Sequence, residues 1–119
     1  MSTLYVDQIL ALNKESLPEN LKNVVGFAWA NWSSATIGID NTFNVSSIVR
    51  SSEGDSRIHF IKKPTKPYVA VSNANRDSST LSSQVNSKTS DYVQVVTFYA
   101  NTGVRFDCNS INLICMGGQ

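Results

Sequence analysis

The run Val24 to Trp32, Val-Val-Gly-Phe-Ala-Trp-Ala-Asn-Trp, constrains the fold more than any other stretch of the chain. In an extended chain Val25, Phe27, Trp29 and Asn31 fall on one side, while Gly26, Ala28, Ala30 and Trp32 fall on the other. The alternation predicts a strand that turns its bulky side to a core and leaves its small side for close approach of a neighbouring sheet or subunit. Val25, Phe27 and Trp29 are therefore expected core residues, joined by Phe43, Val45 and Phe60 from later strands. Trp32, at the end of the small side, has three readings: subunit interface, core, or a platform for stacking a sugar.

Composition agrees with an all-β chain. Of the 119 residues, 17 are Ser, 12 Asn and 8 Thr, and only 16% are charged. Ser and Asn are poor helix formers that suit turns, and Thr suits strands. The length suits one domain, and strand-like runs recur at sandwich spacing. They are Val24 to Trp32, Ala35 to Ile39, Phe43 to Ser51, Arg57 to Ile61, Tyr68 to Asn73, Tyr92 to Tyr99, Val104 to Asp107 and Ile111 to Met116. Ser51 to Asp55 and Asn101 to Gly103 carry hairpin chemistry, with Gly54 free to take a positive φ. Ala74 to Ser90 is expected to be a long polar loop with Leu81 and Val85 as its apolar anchors. The fold class is thus an antiparallel β-sandwich, jelly-roll-like, over residues 24–119, preceded by a 1–23 arm and linker. In the arm, Leu4, Tyr5, Val6, Ile9, Leu10 and Leu12 form a short apolar segment that reads equally as helix or extended chain. It is expected to dock on its own domain or on another subunit.

A net charge of +1 argues against nucleic acid, whose backbone calls for clustered basic residues. The one basic cluster, Lys62-Lys63-Pro64-Thr65-Lys66-Pro67, reads first as a solvated loop whose Lys and Pro guard an edge, and second as a contact for an anionic surface. No run has the length of a membrane span or the pattern of a signal peptide, which predicts assembly in a cytoplasm without membrane insertion. Cys108 and Cys115 would lie about 23 Å apart on one strand, too far to bridge, so both are expected as buried thiols.

The inventory for chemistry is thin. His59, the single histidine, sits mid-strand opposite Ile58 and reads as a polar outward position or a satisfied core imidazole. Asp40, Glu53, Asp55, Asp77, Asp91 and Asp107 mostly fall in turns, where Asp caps its own backbone; a glycosidase pair is the remote alternative. There is no phosphate loop, nucleophile motif or cluster of metal-ligating residues. No catalytic residue, cofactor or metal is expected. Asn31-Trp32-Ser33 and Asn44-Val45-Ser46 match the glycosylation pattern by the chance of a Ser- and Asn-rich chain.

The segments Phe27 to Trp32, Ser33 to Ile39, Phe43 to Ile48, Glu53-Gly54-Asp55, Ile58 to Phe60, Pro67 to Val71 and Ile111 to Gly117 together resemble a small β-domain. It is found in tail-fibre-like and other virion proteins of marine and cyanobacterial phages. The opening Met1-Ser2-Thr3-Leu4, with Val6-Asp7, is similar to the start of many short phage fibre proteins. The resemblance implies a non-enzymatic virion structural protein, at a tail-fibre or baseplate appendage or on the head as a decoration or fibre. It also implies assembly as a homo-oligomer, a trimer by analogy, with other virion proteins as partners and assembly in a host cytoplasm. The alternative is a lectin-like module for host surface carbohydrate, with Trp32, Tyr92 and Tyr99 as interface or sugar platform.

Overall fold

The computed structural model describes residues 26–36, 38–75 and 81–119. Among them there is no helix, and eight strands run β1 Gly26–Ser33, β2 Gly38–Phe43, β3 Val45–Ser52, β4 Asp55–Phe60, β5 Tyr68–Asn75, β6 Leu81–Lys88, β7 Tyr92–Tyr99 and β8 Ser110–Gly117. They form two antiparallel sheets of four. Sheet A has the order β2-β1-β8-β5 and sheet B the order β3-β4-β7-β6. Val25 and the arm residues Leu4, Tyr5, Val6, Ile9, Leu10 and Leu12 lie outside the described residues.

The phase of β1 departs from simple alternation, which corrects the expected core. Where Gly26 pairs with Met116, Ala28 already pairs with Cys115, so β1 carries one extra residue at Phe27. Such a bulge shifts every later side chain to the opposite face. Phe27 and Ala28 therefore both point inward, followed by Ala30 and Trp32, all buried. Trp29 is exposed instead, and so is its cross-strand partner Phe43.

The rings come from both sheets. Phe27 lies 5.3 Å from Phe60 and 5.2 Å from Tyr68, and Phe60 lies 5.7 Å from Tyr68, with both Tyr68 contacts edge-on. Edge-to-face pairs of this kind contribute about 0.5–1.5 kcal/mol each beyond their buried area. Trp32 fills the far end of the core, with its indole N–H donating to Ser56 Oγ at 3.4 Å. Val45, Ile58, Val93, Val95, Ile111 and Leu113 complete the shared core. Val45 and Phe60 thus lie where the sequence puts them.

Three connections differ from expectation. Phe43 belongs to β2, not to the start of β3, because Asn44 breaks the run at φ 58°. Asn reaches this left-handed region more readily than most residues, since its short side chain finds local partners. Here the Asn44 amide accepts from Lys62 N at 2.7 Å and donates to Lys62 O at 3.0 Å, and the chain passes from one sheet to the other. The expected loop at 74–90 contains β6, and Leu81 and Val85 pack on the core. Ser82, Ser83, Gln84, Asn86 and Ser87 give this strand a polar composition that masks its period. Conversely, Val104 to Asp107 is no strand and makes one isolated bridge, Arg105 with Phe98.

The β3–β4 hairpin tip folds onto that segment. Gly54, at φ 67°, donates to Asp107 Oδ1 at 2.9 Å and accepts from Thr97 N at 2.9 Å. A Cβ at Gly54 would lie 2.5 Å from Thr97 O and 2.8 Å from Phe106 N, so only glycine fits. Arg50 clasps Asp107 through Nη2 at 2.7 Å. Cys108 and Cys115 are buried thiols, and burial pushes Cys115 up to about 12, which leaves it protonated and unreactive.

Two outcomes follow from this buckle. Gly54→Ala combines a strained φ with a backbone clash and should cost about 3 kcal/mol, read as a lower urea midpoint. Partial burial alone would raise the Asp107 carboxyl, but the hydrogen bond and charge of Arg50, with the N–H of Gly54, hold it below its ordinary 3.8. A depressed folded-state value stabilises fully above the unfolded value and is lost as pH falls through the folded one. Asp107→Asn should therefore weaken the fold at neutral pH and flatten the loss of stability below about pH 4, measured as urea midpoints across pH.

Candidate functional site

The bulge that buries Ala28, Ala30 and Trp32 turns the rest of β1 outward, and the registers of sheet A then align like residues into rows. Phe43, Trp29, Ile114 and Val71 are successive cross-strand partners across β2, β1, β8 and β5. They are 51%, 37%, 54% and 63% exposed, so the row is a continuous apolar strip lying on the surface. Met116 and Val69, also partners and also exposed, extend it on one side. The Trp29 and Phe43 rings lie 6.4 Å apart with planes within 19°.

On the other side runs a row of amides. Asn41, Asn31, Asn112 and Asn73 are successive partners across the same four strands. Asn31 Nδ2 donates to Asn112 Oδ1 at 2.6 Å, and Asn112 Nδ2 donates to Asn73 Oδ1 at 2.7 Å. Asn31 also reaches Ser110 Oγ at 3.1 Å. These bonds link the amides of Asn31, Asn112 and Asn73 across three strands beside the apolar strip. None of the residues in these rows carries a charge.

The outer face of sheet B is of opposite character. The Arg57 guanidinium sits 5.1 Å over the Tyr92 ring, and His59 lies 5.5 Å from the same ring. Asp55 is held by Gln94 Nε2 at 3.0 Å and by Arg105 Nη1 at 3.0 Å. A charged face of this sort keeps its hydration, whereas the strip on sheet A meets water with apolar surface. Contiguous apolar surface on a folded domain marks an interaction site.

The residues singled out from sequence are not brought together. Trp32 is 1% exposed and belongs to the core, so it is neither an interface nor a sugar platform. Tyr92 and Tyr99 stand at opposite ends of β7, both half-buried, the first against Arg57 and His59, the second 4.9 Å from Phe106. Trp29 and Phe43, expected in the core, are exposed instead. The row itself was hidden in sequence because its members lie on four strands, and only the registers bring them side by side.

Three carboxylates are engaged structurally: Asp55 with Arg105 at 3.0 Å, Asp91 with Lys63 at 2.6 Å and Asp107 with Arg50 at 2.7 Å. Among the described residues no group of three or more His, Cys, Asp or Glu is placed to hold a metal ion, and no helix is long and apolar enough to cross a membrane. The strip presents apolar surface for burial, and the amide row beside it presents directional hydrogen-bonding groups. No family model, curated protein or solved structure matches the chain.

Proposed function

We propose that this protein is a non-enzymatic structural protein, a β-sandwich that self-assembles through the outer face of sheet A, with a second copy of the chain as the occupant. The observation that carries the reading is the exposed row Phe43, Trp29, Ile114 and Val71 across all four strands. Two copies of an uncharged face meet without like-charge repulsion. Amides that both donate and accept also match a copy of themselves. At about 25 cal/mol per Å² the strip supplies the apolar term, from which the cost of lost freedom on association is subtracted.

The setting is that of the phage resemblance: a virion component at a tail fibre, a baseplate appendage or the head, with the arm 1–23 as a further contact. The trimer comes from that resemblance alone. The sandwich reading is supported by one core shared between the two sheets. Of the rolled-hairpin pairings a jelly-roll winding requires, only β1 beside β8 is present, while β1 with β2 and β3 with β4 lie as neighbours within one sheet, so the strand order does not support that finer expectation. Native mass measurement tests the assembly. The wild-type chain should be oligomeric, and Trp29→Ser with Ile114→Ser should yield a monomer that still unfolds cooperatively in urea, at a lower midpoint because the stabilisation from association is lost. A wild-type chain monomeric up to millimolar concentration would overturn the reading.

A second reading, a lectin-like module, has its own observation: two exposed, nearly parallel rings flanked by fixed amides suit the apolar face and the hydroxyls of a sugar. It expects retention on a neutral polysaccharide that Phe43→Ala weakens about tenfold, without a change in oligomeric mass.

A further inference from the structure

A second surface feature lies away from this face, where the β4–β5 loop meets the end of β6. Pro64, Thr65, Lys66, Pro67, Tyr68, Lys88, Thr89 and Ser90 line a cleft of about 380 Å³. That volume is in the range of small-molecule sites. No carboxylate lines it. The nearest in sequence, Asp91, is held by Lys63 at 2.6 Å.

The walls are held in place from several directions. Thr65 N and Lys66 N donate to Gly118 O at 2.8 and 3.2 Å, which ties the loop to the C-terminal strand. Tyr68 Oη donates to Thr89 O at 2.7 Å, which ties β5 to the far wall. Lys88 Nζ donates to Tyr68 O at 2.6 Å and stands 5.3 Å from the Tyr68 ring centre. An ammonium has three donors, and this anchor uses one of them in a fixed position. The entropy of ordering a long lysine side chain is therefore spent before any ligand arrives.

We propose that this cleft binds the sulfate or phosphate ester of a saccharide. Lys88 and Lys66 would face the oxyanion, whose charge-assisted hydrogen bonds are the strong class. Pro64 and Pro67 offer apolar wall for the ring carbons, and Thr65 and Ser90 offer hydroxyl partners. A nucleic-acid backbone fits less well, because the chain has net charge +1 and the cleft is lined by Lys66 and Lys88 without a basic stripe leading from it.

The test is a titration of the full chain, followed by amide NMR shifts, with inorganic sulfate and inorganic phosphate separately. Dextran sulfate, phosphorylated dextran, plain dextran and a short DNA duplex follow. Shifts are expected at Thr65 to Tyr68 and Lys88 to Ser90, with one ester-bearing dextran bound and plain dextran not. The exposed Lys66→Gln should weaken binding about tenfold. Arg57→Gln, on the far face of sheet B, should leave it unchanged. Lys88→Gln should weaken it further, with its fold checked by the dispersion of the same spectra. Binding that ignores Lys66→Gln, plain dextran bound as well as the esters, tighter binding of the duplex, or no shift with either anion would each overturn the assignment.

Discussion

One extra residue in β1 decides what each side of sheet A is for. Because strand side chains alternate with a period of two, the bulge at Phe27 shifts the phase of everything after it. Without it, Trp29 and Asn31 would enter the core and Ala28, Ala30 and Trp32 would face water. With it, Phe27 keeps its inward position and joins Phe60 and Tyr68, while Trp32 fills the opposite end. Full burial of side chains of this size stabilises by about 1.5–3 kcal/mol each. The gain is divided between two ends of the core, so the sheets are locked at both.

The same phase shift leaves an asymmetric surface. Sheet B carries its charges outward in matched sets, Arg57 over Tyr92 and Asp55 between Gln94 and Arg105. Sheet A carries none in the rows led by Trp29 and Asn31. The contrast is between faces: charged side chains stand on the outer face of sheet B, and the two rows on sheet A are uncharged. The amide row stiffens the uncharged face, because each bond from Asn31 to Asn112 and from Asn112 to Asn73 crosses from one strand to the next.

Much of this was legible in sequence where a single strand carried its own signal. Tyr92 to Tyr99 is β7 to the residue, Gly54 sits at a hairpin tip with positive φ, and Phe27, Val45 and Phe60 are core. What failed depended on partners distant in the chain. Alternation within Val24 to Trp32 cannot reveal a bulge, which exists only relative to β8, so Trp29, expected in the core, is exposed, and of the three readings of Trp32 the core one holds. Asn44 breaks the strand-like run Phe43 to Ser51, and its amide is bonded to Lys62, 18 residues away. β6 carries too few apolar residues to be recognised alone, and it is held by pairing with β7 and by the Ser72–Ser83 hydroxyl contact at 3.0 Å.

A β-domain can associate by adding strands at an edge or by covering a face, and the edges here favour the second route. On one side β5 and β6, the outer strands of the two sheets, lie against each other through Ser72 with Ser83 and Lys88 with Tyr68. On the other side β3 has register shifts between Val45 and Ser47 and between Arg50 and Ser52, and the pairing of β1 with the outer strand β2 shifts at Asn31 and Trp32. Irregularities of this kind twist an edge away from a regular ladder and discourage an incoming strand. The strip on sheet A has no such protection: its four strands are in register where Phe43, Trp29, Ile114 and Val71 meet, and no charged side chain interrupts the rows. The chain thus has irregular backbone edges and an uncovered apolar row, the arrangement that the proposed face-on association requires.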